Sequence, residues 1–100
     1  MTSVTFLHEA EIELWEAVAY YEDKAHGLGL DFENEIERAV QTIADSPERW
    51  PLRSDDTRRY LTQRFPYLIV YSYLDGCIWI IALAHCKRQP EYWRSRVRQT

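Results

Sequence analysis

The stretch that most restricts the fold is Cys77-Ile-Trp-Ile-Ile-Ala-Leu-Ala84, which follows Asp75-Gly76. As an extended strand it is apolar on both faces: Ile78, Ile80, Ala82 and Ala84 on one, Trp79, Ile81 and Leu83 on the other. A strand with two apolar faces belongs inside a sheet, with each face covered by something other than water. Asp75-Gly76 suits a two-residue hairpin, because both central positions of such a turn take positive φ. The preceding Tyr67 to Leu74, rich in β-branched and aromatic residues, is therefore its antiparallel partner.

Upstream, Ser3 to Leu7 alternates and reads as a short strand. The period then becomes helical: Ala10, Leu14, Val18, Tyr21 and Ala25 form one stripe, with Glu9, Glu13, Glu16 and Asp23 largely off it. Gly27 and Gly29 break this helix. Phe32, Ile36, Ala39, Val40 and Ile43 form a second stripe, stopped at Asp45-Ser46-Pro47. So short a break predicts an antiparallel helical hairpin. Trp50 to Asp56 reads as loop and Thr57 to Thr62 as a strand. The order is β-α-α-β-β-β: one α+β domain over residues 1–100, with the hairpin packed on a small, mainly antiparallel sheet.

Charge is divided unevenly along the chain. Residues 1–48 carry Lys24 and Arg38 against twelve acids, whereas residues 49–100 carry ten cations against four acids, for a net charge of −4. Such asymmetry points to polyelectrolyte or oppositely charged partners. The simplest spatial expectation is one basic patch from the second half, with the acidic hairpin behind it. Cys77 and Cys86 stand at opposite ends of one extended strand, too far apart to pair. With no secretion signal near Met1 and no apolar run long enough to cross a bilayer, the expectation is a reduced cytoplasmic protein with no membrane partner. No His/Cys spacing fits zinc and no glycine-rich phosphate loop is present, so neither metal nor cofactor is expected.

The apolar run ends at His85 and gives way to Lys87, Arg88, Tyr92, Trp93, Arg94 and Arg96. The segments RFPYLIVY (64 to 71) and AHCKRQPEYW (84 to 93), after AYYE (19 to 22), a GLG break and SPERWP (46 to 51), resemble the RelE/ParE toxin superfamily of type II toxin–antitoxin systems, often labelled plasmid-stabilisation proteins. The resemblance implies a growth-inhibiting toxin and a cognate antitoxin wrapped around it; the oligomeric state stays open between a toxin–antitoxin hetero-oligomer and a homodimer formed through exposed helix faces. RelE-like members cleave messenger RNA on the ribosome without metal; ParE-like members poison DNA gyrase.

For RNA cleavage the resemblance makes Arg88 the phosphate contact and Tyr92 the aromatic that orients a base or shares in proton transfer. Arg59 would add a second cation, and His85 an imidazole titrating near neutrality. Partner contacts are expected at Trp15, Tyr20, Arg64, Lys87 and Trp93, with Leu14, Val18, Ile36 and Val40 facing the core. Read more blandly, Trp93 seals the open sheet face and His85 is a core histidine. Two departures favour the ParE-like pattern and gyrase over ribonuclease action. Leu61 and Leu68 stand where RelE-like members carry cations, and the chain is net acidic although phosphate neutralisation dominates nucleic-acid affinity. A non-catalytic, antitoxin-binding module is the third reading.

Overall fold

The computed structural model describes residues 2–97. The order is β1 (Ser3–Phe6), α1 (His8–Lys24), α2 (Leu28–Asp45), β2 (Arg58–Leu61), β3 (Tyr67–Leu74), β4 (Cys77–His85) and a terminal turn of helix, α3 (Arg94–Val97). The four strands form a mixed sheet in the order β1-β4-β3-β2, with β1 parallel to β4 and the other pairings antiparallel. The doubly apolar strand is thus central, as its sequence requires. Asp75 and Gly76 turn the β3–β4 hairpin with φ of 53° and 77°.

The helical hairpin covers one sheet face. Phe32, Ile36, Ala39 and Ile43 of α2 are buried with Ile69, Tyr71, Ile78, Ile80 and Leu83 of the sheet, and Leu14, Val18 and Val40 pack against them. At one end Tyr21, Phe32, Phe65 and Tyr67 form an aromatic cluster with ring centroids 4.8–6.3 Å apart. The opposite face carries a smaller cluster of Val70, Ile81, Ala82, Ala84 and Trp93.

That division departs from strict alternation. Val70 pairs with Ala82 but Tyr71 with Ile80, so Ile81 is an extra residue opposite their junction. Such a bulge reverses the phase of the strand beyond it. Ala82 and Ala84 join Ile81 on the tail-covered face, and Leu83 crosses to the helical face, opposite to their expected sides.

The two glycines of the interhelical break do different work. Gly27 adopts φ of 87° and starts the second helix. Gly29 does not break a helix; it lies within α2, where a Cβ would stand 2.6 Å from the Val18 carbonyl oxygen, so its bareness allows the helices to approach. Glu22 accepts the Gly27 and Gly29 backbone N–H groups at 3.0–3.1 Å, giving α2 an anion at its positive end. These donors, Gly27 first, hold its carboxyl below the ordinary range. The loop after α2 is held by the Tyr71 hydroxyl, which donates to the Pro47 carbonyl at 2.8 Å, and by Arg58, which donates to the Trp50 carbonyl at 2.6 Å.

Candidate functional site

The central feature is a carboxylate that the sequence pattern placed outside the core. Glu13 lies between Ala10 and Ala17 on the inward arc of α1, and its side chain is only 8% exposed. One oxygen accepts the Leu83 backbone N–H at 3.1 Å and the Arg96 guanidinium at 3.0 Å. The other accepts the Tyr92 hydroxyl, Arg96 at 3.2 Å and Arg88 at 3.4 Å. Burying a carboxylate is costly unless charge and hydrogen bonds answer it, and here both do. Arg96 also donates to the Ile81 carbonyl at 3.2 Å. The first helix, the bulged strand and the tail therefore meet at one acid.

This arrangement sets the chemistry open to Tyr92 and Arg88. Burial raises the Tyr92 pKa, and the hydrogen bond to Glu13 raises it further. At neutral pH the phenol is protonated and its proton is directed at Glu13. The Arg88 guanidinium lies 3.8 Å from the Tyr92 ring centroid, a cation–π contact, while about half of the side chain stays exposed.

Arg59, His85 and Arg88 line one cleft of about 290 Å³, together with Leu68, Ala84, Pro90 and Trp93; Tyr92 is not among its lining residues. Arg59 is held by Asp55 at 3.2 Å and Glu91 at 3.7 Å, and its guanidinium lies 5.2 Å from the Trp93 ring. Burial pushes the Asp55 carboxyl up, but the two Thr57 donors and Arg59 outweigh it and leave the pKa low. The His85 ring stands edge-on to Tyr67, and its Nδ1 accepts the Lys87 backbone N–H at 3.0 Å. That acceptor role assigns the proton of the neutral ring to Nε2.

Among the residues expected to meet partners, Trp15 and Tyr20 are exposed on α1, at 51% and 56%. Lys87 is exposed at the end of β4. Arg64 pairs with Asp31 at 3.2 Å, and its backbone N–H donates to Glu35 at 2.8 Å. Trp93 is 3% exposed and seals the tail-covered face, as the blander reading has it.

Among the described residues the expected single basic patch is not formed. Arg64, Arg88 and Arg96 reach across to carboxylates of the acidic half, while Arg59 and Arg94 pair within their own half. Much of the charge asymmetry is satisfied inside the molecule. Cys77 and Cys86 are both free and exposed. Among the described residues no three His, Cys, Asp or Glu side chains are grouped to hold a metal ion, and no helix is long and apolar enough to cross a membrane.

A helical hairpin on this mixed sheet is a fold shared with a solved toxin–antitoxin protein. A chain from "Chromosomal ParDE TA system from P. aeruginosa" superposes with a TM-score of 0.74 at 16% identity, over 87% of this chain and 98% of that one. A family model described as "ParE toxin of type II toxin-antitoxin system, parDE" matches residues 4–90, and the chain belongs to that family. No curated protein matches it. Tyr92, Trp93 and Arg96 lie beyond the matched span.

Proposed function

We propose that this chain is the growth-arresting toxin of a type II module, acting on DNA gyrase in the cytoplasm and held inactive in a hetero-oligomer with a cognate antitoxin. The observation that carries the choice of gyrase over RNA is the Glu13 cluster. RNA cleavage needs a group to take the 2′-hydroxyl proton, a free cation for the phosphate and a donor for the leaving oxygen. Tyr92 is protonated and turned toward Glu13, so it is unavailable as a base. Arg88 and Arg96 already answer the charge of Glu13, with which a phosphate would have to compete. Such a tail is built to keep its shape, which suits docking on a protein.

A second reading, ribosome-dependent messenger RNA cleavage, is favoured by the cleft in which Arg59, His85 and Arg88 converge. Induced expression without antitoxin separates the two. The gyrase reading expects trapped gyrase–DNA breaks, intact messenger RNA and continued growth arrest by Arg88→Ala. Ribosome-associated cuts that disappear in Arg88→Ala would replace it with the ribonuclease reading. No arrest by the intact chain would leave a non-catalytic antitoxin-binding module.

A further inference from the structure

Two exposed thiols mark the two ends of β4, in unlike electrostatic settings: Cys77 opens the strand and Cys86 directly follows it. Cys77 pairs with Leu74 and Ser3, and the nearest charged residue along the chain is Asp75. Cys86 occupies the second position of a β-turn from His85 to Arg88, closed by the Arg88 backbone N–H on the His85 carbonyl at 2.9 Å. Its own N–H donates to the Pro66 carbonyl at 2.8 Å, which fixes the turn against the start of β3. Cys86 also lines the cleft of about 290 Å³ shared by Arg59, His85 and Arg88. Glu91, the acid in that wall, is answered by Arg94 and Arg59. Arg88 is half exposed and keeps donors beyond its contact with Glu13. Two further donors buried in the lining residues, the Trp93 indole N–H and the Arg59 Nε–H, have no acceptor among the described residues. Trp93 itself is 3% exposed. Buried donors in native proteins are almost always paired, so a cleft with two unpaired ones beside an exposed guanidinium suits a molecule that brings acceptors.

We propose that Cys86 is a site of reversible S-thiolation by an anionic low-molecular-weight disulfide, with the Arg88 guanidinium and the His85 Nε2–H receiving its carboxylates. The Cys86 sulfur, as thiolate, attacks one sulfur of the disulfide. An S–S bond forms to Cys86, the S–S bond of the small molecule breaks, and its other half leaves as a thiolate that takes up the proton Cys86 gave. The protein thiol is oxidised and the released half is reduced, so the disulfide is the only oxidant the step needs. A free small thiol reverses it. Charge selects the reagent: the cations of the cleft draw an anionic disulfide to Cys86, whereas Cys77, beside an acid, offers no such attraction. The attached half sets its carboxylates beside Arg88, in competition with Glu13, and so bears on the hold of the tail. The inference rests on the cleft and not on the toxin reading.

The test treats the intact, reduced chain with oxidised glutathione, whose carboxylates outnumber its ammonium groups, or with cystamine, a cationic disulfide, and follows each cysteine by peptide mass spectrometry. Glutathione is expected to add to Cys86 faster than to Cys77 by about tenfold or more at low salt, and the ratio should shrink as salt rises. Cystamine should lose or reverse that preference. Arg88→Gln should slow the glutathione reaction at Cys86 and speed the cystamine one, and Cys86→Ser should leave only the slow adduct at Cys77. A preference for Cys86 shared by both disulfides would reduce the result to simple access and overturn the proposal. So would glutathione adding to Cys77 as fast as to Cys86 or faster, no adduct at Cys86, or rates indifferent to salt and to Arg88→Gln. The comparison of the two disulfides needs no substitution, so it decides the question even where Arg88→Gln loosens the tail.

Discussion

The two faces of the sheet are covered by unlike means. On one, two long helices supply interlocking aliphatic and aromatic side chains, and the attachment is spread over many apolar contacts. On the other, a short tail contributes a buried indole, and its polar ties converge on the Glu13 carboxylate. Dispersed apolar burial is non-directional and falls off gradually with damage. A buried carboxylate answered by several donors is directional, and loss of the acid strands the donors. The helical side therefore sets whether the domain folds, and the acid sets whether the tail stays on it.

The contrast is broken hardest from the helical side. Phe32→Ala removes a fully buried ring that touches Tyr21, Phe65 and Tyr67, and should lower global stability by about 3–5 kcal/mol, measured by urea unfolding. Glu13→Gln keeps the shape but removes the charge. Its cost should be smaller, about 2–3 kcal/mol, because Arg88 is half exposed and can turn to water. Its signature is local: amide exchange should quicken over residues 88–97 and around Leu83 while the helices keep their protection. A uniform loss of protection across the domain would refute the division between the faces.

The smallest effect sharpens the comparison. Tyr92→Phe removes one hydroxyl donor to Glu13 and should cost about 1 kcal/mol at neutral pH. The Tyr92 pKa is raised by burial, and those of Tyr67 and Tyr71 are pushed up to about 12 by burial. A phenol with a raised folded-state pKa contributes stability that is complete below the unfolded value of about 10 and is lost as pH rises toward the folded value. The chain should therefore lose stability above about pH 10, and Tyr92→Phe should lose less there than the parent chain. An alkaline limb unchanged by Tyr92→Phe would remove that phenol from the account. At the acid end Glu22 and Asp55, both lowered, should give stability that falls as pH drops below the ordinary carboxylate range.

The β3–β4 pairing and the central place of β4 were legible because the hairpin is marked by Asp75-Gly76 and β4 is apolar on both sides; the parallel pairing of β1 with β4 was not. The faces beyond Ile80 were not, since a bulge adds a residue without changing composition, and alternation cannot register it. Gly29 resembled a helix breaker because local propensity carries no information about how closely another helix passes. Glu13 was missed for a related reason: an acid on an amphipathic helix reads as solvated. A signal was nonetheless present, since Glu13 stands three residues after Ala10 and four before Ala17, flanking the inward arc, where a carboxylate calls for buried donors. The candidate residues at the end of β4 were visible as types. Their mutual geometry was not, because Tyr92, Arg88 and Arg96 are oriented by an acid far away in the chain.

The parallel pairing of β1 with β4 has a consequence for synthesis. Ser3 is matched with Cys77, and Glu13 with Arg96, so segments made earlier are completed only by segments made much later. Until the C-terminal segments leave the ribosome, β1 lacks its sheet neighbour and Glu13 lacks its cations. A nascent chain of this topology is committed to its final shape late, and an interrupted translation product lacks the parts that would finish it.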